Sequence, residues 1–395
     1  MRLTISKKDV LCFVLLLSPL EPRFFELNAM IQRIYTMVMF FSAAYLGIQY
    51  LKNRRRPANV ALIIVLLQVW LLLSTVLNHG LINSTVIRCV KFFVLCLTVD
   101  YFSDDLSRLL RCLMLHFEIY TYSNLVAYIL FPGGLVTHEN YAGGVSAEWV
   151  LGWHHYFKIW FIPGLLVAWL YRDYFKKSKR CYLLTAAIII TESFWGASTG
   201  LTGAILFVIL LIIPKIKSIL TPVRATFLAA FFIITIVFLQ KYDYLTLLLS
   251  SIYSDNLDFS GRLVIWSSAI QAFTKSPLFG YGIRASTTDV VRILGLGAWA
   301  THCHNHILQI MFEGGILSLV MFVGLLYVNI KSCAKAWRNS NFNASRICMY
   351  SIFVYLIIGI TEHYEYAPMY LILILPFYFC NKNLDELKIN GLIKC

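Results

Sequence analysis

Charge is what this chain has least of. Only 14% of its 395 residues are Asp, Glu, Lys or Arg, where a soluble domain carries about 25%. Apolar residues make up 59%, and mean hydropathy is +0.71. That shortage excludes an ordinary soluble enzyme. Signatures of soluble chemistry are missing too. No P-loop, GxSxG or HExxH pattern occurs, so nothing points to nucleotide hydrolysis or protease chemistry. There is no CxxC pair, internal repeat or low-complexity tract. Cys12, Cys89, Cys96, Cys112, Cys181, Cys348 and Cys380 fall in or beside apolar runs, Cys333 and Cys395 on the basic side, and Cys303 alone in an outer loop. A disulfide framework or zinc site does not fit that distribution. No cleavable signal is expected, because the first apolar run reaches Pro19, Pro22 and Arg23 without a small-residue cleavage site.

What the chain has is apolar runs of membrane length. A spanning helix needs about 20 mostly apolar residues, so twelve would use roughly 240. Twelve spans are expected, at 9–21, 31–50, 59–78, 85–102, 109–131, 154–171, 181–196, 199–214, 224–241, 306–330, 347–361 and 368–380. The predicted fold is an all-α polytopic integral membrane protein, a single domain over 1–395. A Gly-rich outer loop follows Phe131. A long extracytoplasmic loop, 242–305, lies between the ninth and tenth spans. Short loops around Ser198–Gly203 and Glu362–Pro368 complete that face.

Positive charge orients such a bundle. Of the 34 basic residues, 24 fall on the side of the termini, which places both termini in the cytoplasm. The excess of +14 therefore reports orientation and not nucleic acid. The other ten are Arg23, Arg33, Arg88, Lys91, Lys158, Lys241, Arg262, Lys275, Arg284 and Arg292. They lie on the outer side or within spans, where each either snorkels to the interface or serves function. Arg88 and Lys91 share a helix face with no acid near them in sequence. An anionic ligand such as a diphosphate would suit them, since arginine binds phosphate oxygens bidentately.

The long loop holds the densest chemistry. Ser260-Gly261-Arg262 leads into a helical pattern over Leu263–Phe273, with Arg262 in its first turn, and Pro277-Leu278-Phe279-Gly280-Tyr281-Gly282 reads as a turn. Then come His302, His304 and His306, with Asn305, Gln309 and Glu313 beyond. Alternating histidines hint at a metal, but an extended run does not present His302 and His306 as a helical i, i+4 pair. A histidine at the mouth of a membrane cavity also suits a general base, and a polar helix cap is the plainest role. Glu313 either satisfies a local hydrogen bond or pairs with Arg262 or Arg284, and Glu192 has the same two readings.

In their order, Gly261-Arg262 with Trp266, Pro277 to Gly282, His304-Asn305 with Leu308-Gln309, and Glu313-Gly314 resemble the O-antigen ligase/polymerase superfamily of bacterial membrane glycosyltransferases. The resemblance implies an enzyme of the bacterial inner membrane, with its active site on the outer face. Its donor would be undecaprenyl-diphosphate-linked glycan, and no metal or nucleotide cofactor would be needed. Arg262 would hold the diphosphate and His304 would be the base. Arg284, Arg88, Lys91, Lys158, Asn305 and Glu313 are the candidate substrate-binding residues. Many members carry Ser-Arg where this chain has Ala197-Ser198-Thr199-Gly200, so Arg88, Lys91 or Lys158 would supply the second cation. The acceptor would be a second glycan repeat (a polymerase, toward which Gly-Arg-x-x-x-Trp and Pro-Leu-Phe-Gly-Tyr-Gly lean) or lipid A-core (a ligase). A flippase and a chain-length regulator would be partners. A lipid-linked glycan flippase is the reading from another class, disfavoured by the absence of a repeat.

Overall fold

The computed structural model describes residues 6–139, 145–195, 198–235, 262–284, 287–297, 300–338 and 342–381. Lys241, Ser260, Gly261 and the loop positions 242–261 lie outside the described residues, as does Ala197. A helix stands at each of the twelve expected places: Lys7–Leu17, Ala29–Lys52, Asn59–Leu77, Ile82–Tyr101, Leu106–Leu130, Phe157–Phe175, Lys179–Trp195, Ser198–Ile212, Pro222–Ile233, His306–Arg338, Phe342–Ile358 and Ala367–Asn381. Among the described residues, four helical stretches are long and apolar enough to cross a membrane: Ala29–Lys52, Asn59–Leu77, the continuous Ile82–Leu130, and His306–Arg338.

Helices with weak sidedness sort by depth. Ala367–Asn381 is buried almost all round, and Phe157–Phe175 nearly so. A helix apolar on every face belongs in the interior or in lipid. The outer helices leave large apolar side chains uncovered, such as Phe41 at 76% and Phe227 at 71% exposed. A surface of that kind matches a hydrocarbon surround.

Three expectations are corrected. The first outer loop is not wholly irregular. Val136–Glu139 (β1), Val145–Trp149 (β2) and Gly152–Trp153 (β3) form an antiparallel sheet in the order β1-β2-β3, with Thr137 opposite Ala147 and Trp149 opposite Gly152. Among the described residues the fold is all-α apart from this small sheet. Ser198–Gly203 is not a loop but the opening turns of Ser198–Ile212. The long loop contains the expected helix, Arg262–Lys275, and a second one, Thr287–Leu294. Its eight residues carry too few apolar repeats to stand out in sequence. The nine described cysteines are free.

One long helix is interrupted at a glycine. His306–Arg338 is broken at Gly315, whose φ is 65°. Ile316 N–H donates to Pro277 O at 2.7 Å instead of to the preceding turn. The carbonyls freed by the kink are taken up from outside: Tyr281 N–H donates to Phe312 O (2.8 Å), Gly282 N–H to Glu313 O (2.9 Å) and Trp70 Nε1–H to Gly314 O (2.8 Å). Buried backbone groups need such partners, and in hydrocarbon there is no water to supply them. The clasp demands glycine. A Cβ on Gly280 (φ 64°) would lie 2.6 Å from Phe312 O, and one on Gly315 2.3 Å from Leu278 O. Pro277-Leu278-Phe279-Gly280-Tyr281-Gly282 and Glu313-Gly314-Gly315 are therefore two halves of one lock.

Candidate functional site

Five chain segments end at the same end of the bundle and meet there. Lys158 opens Phe157–Phe175, Glu192 closes Lys179–Trp195, and Thr199 opens Ser198–Ile212. Asn305 precedes His306–Arg338, and Glu362 follows Phe342–Ile358. Asn305 caps its helix: its Oδ1 accepts from Leu308 N–H at 2.9 Å, and its Nδ2 donates to Ile360 O at 2.8 Å. His306 N–H donates to Gly359 O at 2.8 Å. Asn305 and His306 thereby pin the 359–366 segment to the helix start. Asn is a preferred cap because its side-chain oxygen meets an otherwise orphan amide.

The pinned segment delivers Glu362. Its carboxylate lies 2.8 Å from Lys158 Nζ and 3.6 Å from an Arg262 guanidinium nitrogen, and Thr199 Oγ1 donates to it at 3.4 Å. Lys158 is 3% exposed. Nearby, both oxygens of the Glu192 carboxylate are buried without a hydrogen-bond partner among the described residues, against Gly200. Of the three cations proposed to replace the missing arginine, Lys158 is the one beside Thr199 and Arg262.

His304 completes the cluster. Its ring stacks edge-on to His302 with centroids 3.8 Å apart, and its buried Nδ1 has no hydrogen-bond partner among the described residues. Burial, then His302, Arg262 and Lys158, hold its pKa down at about 2. Burial likewise lowers His302 to about 4. Both rings are neutral at pH 7, so each has a lone pair to offer. His304 also adopts φ 45°. A left-handed non-glycine residue costs roughly 1–3 kcal/mol, and such strain concentrates at functional sites.

The remaining candidates go elsewhere. Arg88 does not wait for a ligand. It pairs with Glu365, lies 3.9 Å from Glu313 and donates to Gln68 Oε1 at 3.1 Å. Lys91 lies 2.7 Å from Glu21 and 3.3 Å from Glu26. These acids are remote in sequence, which is why the cations look unpartnered there. Glu313 pairs with Arg88 and accepts from Gln309 at 2.8 Å; neither Arg262 nor Arg284 is its partner. Arg284 follows the clasp, its Nε buried without a hydrogen-bond partner among the described residues. No ion pair among the described residues joins it to Glu362. Among the described residues, His302, His304 and His306 do not form a metal-ligand grouping; the one that could hold an ion is His306, His363 and Glu365, with ligand atoms within 4.8 Å of one another. That set is already committed: His306 Nε2 bonds Tyr355 and Glu365 holds Arg88, whose charge would repel a cation.

The depressed histidines make a stability prediction. An unfolded histidine titrates near 6.5, whereas folded His302 titrates near 4 and His304 near 2. The unfolded chain therefore binds more protons below about pH 6.5. Stability is full above that value and is lost as pH falls through the window down to about 4. The apparent melting temperature in neutral detergent is expected to be lower at pH 5 than at pH 7.5 by about 5 °C, and His302→Gln/His304→Gln should flatten the difference. An unchanged slope in the double variant would show that other groups set it.

Comparison with known proteins agrees with this region. Residues 180–323 match the family described as O-Antigen ligase. A protein of Rickettsia felis, provisionally named a polysaccharide ligase, is 34% identical over 112 residues, 26% of each chain. Relatives with the same name in Rickettsia conorii and Rickettsia prowazekii are 33% and 36% identical over 112 and 111 residues. The matched region is thus about a quarter of the length of these relatives. The resemblance to the O-antigen ligase superfamily stands, and the chain carries a helical, membrane-type architecture.

Proposed function

We propose that this protein is a membrane glycosyltransferase of the ligase type. It moves a glycan from undecaprenyl diphosphate to a hydroxyl of lipid A-core or a similar glycolipid, at the outer face of the inner membrane. The observation that carries this reading is the convergence of Arg262 and Lys158 on one carboxylate beside a neutral His304, whose buried Nδ1 has no hydrogen-bond partner among the described residues. Glu362 occupies a place where two cations already meet an anion. A diphosphate fits the same demand with more charge.

The chemistry needs little else. The acceptor oxygen attacks the anomeric carbon and its proton passes to His304. The bond from that carbon to the diphosphate oxygen breaks, and undecaprenyl diphosphate leaves with the electron pair. Arg262 and Lys158 neutralise the charge that gathers on the leaving group. A bound diphosphate would also make His304 more basic, because it offsets the two cations that depress it. Arg88 and Lys91 take no part in this scheme, their charge being met by Glu365, Glu21 and Glu26.

A ligase is preferred to a polymerase on the family match and the names of the relatives. The motifs that lean toward polymerases have structural work of their own. Trp266 is fully buried in the Arg262–Lys275 helix, and the Pro277–Gly282 segment is the kink clasp. Neither speaks for an acceptor. The test is incubation of purified protein with a defined undecaprenyl-diphosphate glycan and, in separate reactions, lipid A-core or a second lipid-linked glycan. Mass analysis is expected to show glycan on lipid A-core without added nucleotide. Elongated lipid-linked product instead would replace the ligase with a polymerase. Neither product would sink both.

A further inference from the structure

A second polar pocket lies at the other end of the bundle. Arg172 sits fourteen residues after Lys158 on the same helix, about 21 Å along it. A cavity of about 420 Å³ opens there, lined by Arg172, Lys176 and Arg346 with one acid, Asp173. That volume falls in the range of small-ligand sites. Trp169 and Tyr182 form a wall. The Arg172 guanidinium lies 4.8 Å from the Trp169 ring centroid and 5.3 Å from that of Tyr182. Stacking fixes the plane of its donors without using them. Lys176 spends its charge on Asp173 at 3.1 Å. Arg346 has a buried Nε with no hydrogen-bond partner among the described residues. The Phe342–Ile358 helix begins at the pocket, so its N-terminal amides add positive potential.

We propose that this pocket binds a phosphate group, that of an anionic phospholipid in the leaflet opposite the glycan site. Two arginines, one pre-oriented and one with an unmet donor, match phosphate oxygens. A net excess of cations remains after Asp173 is paired with Lys176. Tyr182 and its neighbour Leu183 are 49% and 52% exposed, which gives acyl chains an apolar face beside the headgroup. Basic pockets between membrane helices hold lipid headgroups by this combination of charge and flanking apolar surface. A soluble phosphate ester would share the polar contacts and lack the apolar ones. The proposal stands whether or not the glycan reading holds.

The experiment uses the full chain in neutral detergent and follows the melting temperature and native mass spectra. The probes are phosphatidylglycerol, phosphatidylcholine and glycerol 3-phosphate. Phosphatidylglycerol is expected to be retained and to raise the melting temperature, and the other two are not. Arg172→Gln/Arg346→Gln should weaken phosphatidylglycerol binding at least tenfold. Lys217→Gln, a basic residue on the same side outside the pocket, should leave it unchanged. If the double variant does not fold, Arg346→Gln alone, which keeps the Arg172 stack, carries the test. Equal binding by wild type and the pocket variants would overturn the site. A response to glycerol 3-phosphate alone would overturn the lipid as its source.

Discussion

Replacing His304 with alanine is expected to lower glycan transfer by about 10²–10⁴-fold, the usual contribution of a positioned general base. The protein should still insert and fold. His304 makes no hydrogen bond through its buried Nδ1, so its removal orphans no partner there. Backbone strain is the complication, since φ is 45° at this residue. Asparagine tolerates left-handed backbone well. His304→Asn therefore separates lost chemistry from lost conformation. Both variants should be inactive with near-normal melting temperatures. Arg262→Ala should fail by a different route, losing about 10²–10³-fold as a charge-stabilising group. His302→Ala should lose less, because the His302 Nδ1 is already engaged by Thr301 Oγ1 at 3.3 Å. Glycan length and amount on gels from complemented deletion cells would read all four. Normal products from both His304 variants would remove this residue from the chemistry.

The helices were legible because membrane length and hydropathy do not depend on tertiary partners. The start of the Arg262–Lys275 helix and the Pro277–Gly282 turn were legible for the same reason, being local. Asn305, a candidate substrate ligand, also caps its helix, and Asn just ahead of a long apolar run is the ordinary sign of a cap. Glu362 was missed. It sits in a short loop with no motif, and its importance comes from Lys158 and Arg262, 204 and 100 positions away. Reading cations alone also misplaced Arg88 and Lys91. In a low-dielectric bundle every buried charge needs a counter-charge. Buried acids such as Glu21, Glu192, Glu313, Glu362 and Glu365 were thus as informative as the surplus bases. The clasp explains why Glu313-Gly314 travels with Gly280-Tyr281-Gly282: one segment supplies the kink and the other its missing hydrogen bonds. The small sheet was illegible because its strands are only four, five and two residues long.

Lys158→Met is expected to destabilise the protein by about 3–5 kcal/mol, the usual cost of removing one partner from a buried ion pair. Methionine fills similar volume, so the loss is electrostatic. Glu362 would keep Arg262 at 3.6 Å, and Thr199 would still donate to it. Those contacts are longer than the 2.8 Å to Lys158 Nζ, so Glu362 is the carboxylate left under-compensated. The rescue should therefore come from Glu362→Gln. Lys158→Met/Glu362→Gln removes one positive and one negative charge, so its melting temperature against that of the single variant reads how far Lys158 compensates Glu362. Transfer should not return with stability. A lysine that only balances Glu362 would be dispensable once Glu362 is neutral, and Lys158→Met/Glu362→Gln would then work normally. A lysine that also holds the diphosphate leaves the double variant folded and slow, with weaker binding of undecaprenyl diphosphate as a competing product. A Lys158→Met single variant as stable as wild type would mean that water reaches this end of the bundle, and the case for a desolvated anion site at Glu362 would fall with it.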